Sequence, residues 1–441
     1  MSSGRIHLVS LGCPKNLVDS ERMLGLLGGH DYEVTEDAHL ADVVIVNTCG
    51  FIGPAKEESL EAIMAAHRLR EEGNCRGVIV TGCLAQRYEA ELKAELPEAD
   101  AILTLTQEAD IVRHVDRLLG HTRSQYLDNL PRHTITPAHW AYLRISDGCD
   151  HKCSFCAIPA IRGRHRSEPL EELVVEAERL AGAGVRELVL VSQDSVRYGR
   201  DLYGEARLVP LLERLSAIDG IEWLRLMYTY PAFWTEEMIR FHAENEKICR
   251  YVDMPLQHIS DPVLKRMRRA TSRARTVELL QQLRERIPGV GVRSSFIVGF
   301  PGETEAQFEE LLAFVEHSRF DNATCFMYSP EEGTEAFDLD GAVPDEVKEE
   351  RYRRLTEVQD RVSADINHAL VGTRRVALVD EANDDGTGNG RLERDAPEID
   401  GNVVIDGAGA QIADLVGRFA EVEITGAYSY EVTARLVGRT W

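Results

Sequence analysis

Long apolar runs are missing from this 441-residue chain: nowhere do 18 apolar residues follow one another, so no membrane span is expected. The opening Met1-Ser-Ser-Gly-Arg-Ile-His-Leu-Val enters strand-like sequence at once and lacks the apolar core of a signal peptide. Basic charge is short as well. Fifty Lys and Arg face 74 Asp and Glu, a net charge of −24. Broad affinity for tRNA or duplex needs a basic surface to neutralise phosphates, so tRNA is a poor partner. A basic protein fits better, although high acidity also simply keeps a chain soluble. Cysteines number nine, odd and widely spread, which suits a reducing compartment and metal ligation better than a disulfide framework. A cytoplasmic protein is expected.

What is present suggests an α/β protein of several domains, since 441 residues exceed one ordinary core. In residues 1–120, Ile6–Leu11, Val43–Asn47 and Gly77–Thr81 are strand-like, and each is followed by a helical pattern. Pro54 suits a first helical turn, with Leu60, Ile63 and Met64 at helical spacing behind it. That alternation predicts a parallel sheet covered by helices. Ligands in such sheets gather beyond the strand carboxyl ends, and there each strand carries a glycine and a cysteine: Cys13, Cys49 and Cys83. They make a candidate three-thiol site with no evident fourth ligand; the alternative is three small buried hydrophobes. Cys75, Cys249 and Cys325 lack this placement and read as packing residues.

Residues 121–139 hold two prolines and no periodicity, as a linker would. Over 140–370, strands are expected at Ala141–Ile145, Glu187–Val191, Trp223–Met227, Tyr251–Met254, Gly291–Val298 and Thr324–Tyr328. Six parallel strands with intervening helices predict a partly open (β/α)6 barrel with its chemistry at the strand ends. The polar sets Ser192-Gln193-Asp194, Thr229-Tyr230, Gln257-His258 and Ser329-Pro-Glu-Glu-Gly333 fall there. Gly299-Phe-Pro-Gly302-Glu-Thr304 is a tight turn, and Thr304 with Gln307 makes a capping box. Its amides can face a cofactor carboxylate or do no more than start the helix. The basic runs Arg162–Arg166 and Lys265–Arg269 read as substrate contacts or as solvated faces. Residues 373–441 change to short β runs between Gly, Asp and Asn turns such as Asp384–Gly390, a small β-barrel. With seven basic against thirteen acidic side chains, it is a poor RNA platform.

The densest chemistry is Cys149-Asp-His-Lys-Cys153-Ser-Phe-Cys156. Three thiols converge here, and no fourth zinc ligand follows at the usual interval. A zinc knuckle or unrelated thiols is one reading; a 4Fe–4S cluster with one iron left open is the other. The C-x3-C-x2-C spacing, with Phe155 before the last cysteine, resembles the radical S-adenosylmethionine (SAM) superfamily. That resemblance implies SAM on the open iron, reductive cleavage to a 5′-deoxyadenosyl radical, and Phe155 near the adenine.

Along its whole length the chain resembles the methylthiotransferases, which join a three-cysteine domain, a radical SAM barrel and a small β-barrel called TRAM. Leu11–Glu21, Asp147–Cys156, Asp253–His258 and Tyr328–Thr334 look like the members that modify an aspartate of a ribosomal small-subunit protein. Relatives acting on tRNA adenosine, the alternative, typically carry Gln-Met-Asn after the first cysteine, Gln-Ser in place of Gln257-His258, and a more basic barrel. Ala157–Gly163 departs from the family in being somewhat smaller than usual. The resemblance implies two 4Fe–4S clusters and SAM. Cys149, Cys153 and Cys156 would serve SAM cleavage, while Cys13, Cys49 and Cys83 would carry the sulfur delivered to the aspartate β-carbon. A basic small-subunit ribosomal protein as substrate, an electron donor and a sulfur donor are the implied partners. Gln193 is a further candidate for a SAM or substrate contact. No catalytic residue is assigned beyond the cluster ligands. A non-catalytic zinc or iron–sulfur module is the third reading, separable by metal and sulfide analysis.

Overall fold

A computed structural model describes residues 4–96, 99–128, 130–406 and 412–441; Met1, Ser2 and Ser3 of the opening stretch lie outside it. Among the described residues, no helix is long and apolar enough to cross a membrane. The chain forms two compact units. One comprises residues up to Ile135 with Asp147–His151 and Cys156–His165; the other comprises Thr136–Ser146, Lys152–Phe155 and Arg166–Trp441.

In the first unit, five parallel strands lie in the order Glu33–Val34, Arg5–Ser10, Val43–Thr48, Gly77–Gly82, Ala101–Ile102. Val43–Thr48 and Gly77–Gly82 are buried on both faces, which is why they read as unbroken apolar runs. One face packs the helices Pro14–Gly28 and Ile111–Leu119 through Met23, Leu27, Val112 and Val115; the other packs Gly53–Glu72 through Ile63 and Ala66. Pro54 does open that helix, but Leu60 and Met64 stand 41% and 47% exposed. Ser59, Ile63 and Ala66, four and three residues apart, form the inward stripe instead. The stretch read as a linker is clipped to the first helix. Arg132 donates to Glu21 at 2.8 Å, where Glu21 is fully buried, and the Ile135 amide takes the other carboxylate oxygen at 2.9 Å.

In the second unit, six parallel strands follow in chain order as two sheets, Trp140–Arg144, Glu187–Val191, Trp223–Leu226 and Tyr251–Asp253, Gly291–Val298, Asn322–Met327. A parallel bridge from Leu224 to Ile248 and the Cys249 amide on the Leu224 carbonyl join them. Among the described residues the first and sixth strands share no ladder, so the barrel is partly open. The C-terminal strands Arg374–Ala382, Gly388–Leu392, Asn402–Asp406, Glu431–Thr440 and Phe419–Ala427 close into a barrel. The turn expected over Asp384–Gly390 ends earlier, because Gly388–Leu392 pairs with Arg374–Ala382 as a hairpin. Gly390 is required there: a Cβ on it would stand 2.5 Å from the Leu378 carbonyl oxygen.

A buried polar layer joins this small barrel to the starting ends of the six strands. Glu187, the first residue of its strand, accepts from Arg225 at 2.7 Å and Arg391 at 2.6 Å. Arg225 also donates to the Glu393 carbonyl at 2.7 Å. Asp400 accepts from Tyr251 at 2.6 Å and pairs with Arg293 at 3.2 Å, while Tyr142 donates to Glu398 at 2.9 Å.

Candidate metal centres

The strand order 2-1-3-4-5 of the first sheet reverses direction between Arg5–Ser10 and Val43–Thr48, and such a switch point opens a crevice at the strand carboxyl ends. Cys13 and Cys49 follow those two strands, and Cys83 follows the next one. Close approach is built into the backbone. Gly12 has φ +87°, and a Cβ there would stand 2.8 Å from the Cys49 Cβ and 3.0 Å from its Sγ. On Gly50 a Cβ would stand 2.7 Å from the Leu84 Cα.

Polar side chains pin the loops that carry the thiols. The Ser59 hydroxyl bonds both the amide and the carbonyl of Cys49 at 2.9 Å. Asn16 Nδ2 donates to the Leu11 carbonyl at 2.8 Å, and Asn47 Nδ2 returns to the Asn16 carbonyl at 2.9 Å. Thr48 donates to the Thr81 carbonyl at 2.5 Å. These bonds tie the ends of the three strands to one another.

A buried guanidinium also serves this site, at a position where the sequence pattern pointed to solvent or substrate. Arg162 of the Arg162–Arg166 run is not a solvated or substrate-facing residue; its side chain is 2% exposed. It donates to Asp19 at 2.9 Å, Asn16 Oδ1 at 3.2 Å, Asp147 at 3.3 Å and the Cys83 sulfur at 3.4 Å. Arg164, by contrast, is 93% exposed. Burial raises the Cys13 thiol, but Lys15, Arg162 and the amides of Asn16 and Lys15 together hold it below the ordinary thiol value. Burial wins at the others, lifting Cys49 and pushing Cys83 up to about 12 against the pull of Arg162. The signal for Arg162 lay in Asn16 and Asp19, polar residues three apart on a helix that faces the thiols.

In the C-x3-C-x2-C stretch, Cys149 and Cys156 belong to the first unit and Cys153 to the second. The Cys149 sulfur accepts from the His151 amide at 3.4 Å. Cys153 receives an arginine too: Arg269, from the second basic run, donates to its sulfur at 3.6 Å. That guanidinium lies 4.1 Å from the Tyr230 ring centroid and bonds the Pro255 carbonyl. Arg266 turns to the Pro301 and Asp340 carbonyls and Arg268 to Glu335. Phe155 packs in an aromatic cluster, 6.5 Å from Phe300, which lies 5.2 Å from Tyr328. Gln193 is half-buried in the turn after Glu187–Val191.

The Thr304–Gln307 capping box forms as expected, yet the turn before it offers its amides to its own chain. The buried Glu303 carboxylate accepts from the Gly299 and Phe300 amides, so those donors do not await a cofactor. His258 accepts the Ser260 amide on Nδ1 at 3.0 Å, which leaves Nε2 to donate to Glu303 at 3.4 Å. Thr229 and Ser329 are likewise engaged, with the Asp253 carbonyl and Glu331. Cys75, Cys249 and Cys325 are buried packing residues.

None of the nine cysteines forms a disulfide, and among the described residues no three His, Cys, Asp or Glu gather into a group that could hold a metal ion. Three thiols served by three different irons of a cluster stand farther apart, and sulfurs that receive N–H donors suit such a cluster. The donor sets fit it.

Comparisons agree with this chemistry. Residues 143–315 match the radical SAM superfamily, 5–104 match an uncharacterized protein family, UPF0004, and 371–437 match the TRAM domain. The chain is 45% identical over 442 residues to "Ribosomal protein uS12 methylthiotransferase RimO" of Desulforamulus reducens, covering 98% of this chain and 99% of the relative. It is 47% identical over 447 residues to the same-named protein of Pelotomaculum thermopropionicum, covering 98% and 99%. Among solved structures, the radical SAM methyltransferase TsrM of Kitasatospora setae, with cobalamin and a [4Fe–4S] cluster bound, shares the fold. Its TM-score is 0.53 at 15% identity, over 75% of this chain and 77% of that one. This chain belongs to the family of radical SAM methylthiotransferases of ribosomal protein uS12.

Proposed function

We propose that the protein attaches a methylthio group to the β-carbon of an aspartate in ribosomal protein uS12, in the cytoplasm. In this reading Cys149, Cys153 and Cys156 hold one 4Fe–4S cluster and Cys13, Cys49 and Cys83 a second. When bound, the clusters and SAM supply one-electron chemistry and a methylated sulfur, which a carbon with no acidic proton requires. The chain's own residues do the placing. Ser59, Asn16 and Thr48 fix the three strand ends, Phe155 offers an aromatic wall to the adenine, and Gln193 offers an amide to SAM or substrate. An electron donor and a sulfur donor complete the reaction.

The observation that carries this reading is the set of three thiols on three adjacent parallel strand ends, beside glycines whose missing side chains let the thiol-bearing loops approach one another closely. The net charge of −24 supports a basic protein substrate over tRNA. Mass spectrometry of small-subunit ribosomal proteins with and without the gene tests it. A methylthio-sized increment on one uS12 aspartate, absent from the knockout, is expected. Unchanged ribosomal proteins with a tRNA nucleoside that loses its methylthio group would transfer the assignment to tRNA.

A further inference from the structure

Arg162 stands where no substrate is needed to explain it. It ends the short helix Ile158–Arg162, six residues after Cys156, and yet its guanidinium reaches the sulfur of Cys83, 79 positions away, at 3.4 Å. Asp19 and Asn16 hold it from the helix that Cys13 caps, and Asp147 holds it from the residue pair preceding Cys149. Four acceptors around one fork, at 2.9–3.4 Å, leave it no freedom to swing toward a ligand. A planar guanidinium is suited to several fixed bonds at once.

We propose that Arg162 is a positioning residue of the Cys13/Cys49/Cys83 centre, whose N–H bond to the Cys83 sulfur raises the reduction potential of the cluster held there. The inference rests on the cluster assignment above. A donor on a ligating sulfur stabilises the more negative, reduced form. Asp19 serves as its counter-charge and Asp147 fixes its second edge, so the same side chain braces both cysteine segments of the first unit.

The test isolates this cluster in a Cys149→Ala, Cys153→Ala, Cys156→Ala background and follows its reduction by electron paramagnetic resonance during a redox titration. Arg162→Met with Asp19→Asn removes a neutral pair, so any shift reports the lost sulfur bond rather than net charge. The midpoint is expected to move negative by about 59 mV, a tenfold change for a one-electron couple. Arg162→Lys keeps the charge without the fork and is expected to fall between the two. A wild-type midpoint in the neutral pair, or in Arg162→Lys should the pair not retain iron, overturns the inference. A background protein that binds no iron or sulfide at all overturns the cluster assignment itself, a separate and distinguishable result.

Discussion

Replacing Gly12 by alanine tests the first thiol site most directly. The added Cβ would lie 2.8 Å from the Cys49 Cβ and 3.0 Å from its sulfur, and Gly12 sits at φ +87°. Left-handed backbone costs an alanine about 1–2 kcal/mol. Cys49 cannot retreat freely, because Ser59 holds its amide and carbonyl at 2.9 Å each. Breaking those two bonds costs about 1–3 kcal/mol more. The sulfur must therefore shift by about half an ångström, the tolerance within which a ligand set works. Iron and sulfide analysis of the reconstituted protein reads the outcome: Gly12→Ala is expected to fall from about eight irons per chain to about four, the Cys149/Cys153/Cys156 cluster remaining. Gly28→Ala, whose Cβ meets nothing within 4 Å, serves as the control and keeps full iron. Full iron in Gly12→Ala would refute the idea that Gly12 makes room for Cys49 at a shared centre.

Other outcomes follow from buried charge. Glu187→Leu leaves Arg225 and Arg391 without their shared carboxylate, and is expected to cost about 3–5 kcal/mol, read as a lower urea midpoint. Glu303→Gln weakens the bonds to the Gly299 and Phe300 amides and to His258; a loss of about 1–3 kcal/mol in the same assay is expected. Burial pushes the His242 imidazole down to about 4. As pH falls from about 6.5 to 4 the unfolded chain takes up a proton that the folded chain refuses, so stability drops by about 3 kcal/mol across that window. His242→Phe should flatten this acid slope, and an unchanged slope would point to another group.

Strands and thiols were legible because their signals are local. Glu187–Val191 and Gly291–Val298 begin and end at the residues expected of them, and Thr304 with Gln307 announces its helix. Three glycine–cysteine pairs at strand ends needed only the rule that parallel sheets bind at their carboxyl ends. What sequence could not show was direction. Arg162 and Arg164 differ by two positions, and only packing decides that one is buried against a sulfur and the other is in water. Leu60 and Met64 keep helical spacing, yet the stripe that meets the sheet is offset by one residue. Glu303 read as part of a turn, whereas it supplies the anion that the turn's amides bind.

The polar layer between the small C-terminal barrel and the starting ends of the six strands makes that barrel an intramolecular ligand. Arg225, Arg293, Glu187 and Tyr251 all lie in the six-stranded domain and find their partners among Arg391, Glu393 and Asp400. A chain shortened before the last barrel would keep the Arg225–Glu187 and Arg293–Asp253 pairs but lose the bonds to Arg391, Glu393 and Asp400, and would open that layer to water. The strand starts and the barrel therefore share one polar layer, and a change at Glu187, Arg225, Tyr251 or Arg293 is felt on both sides of it.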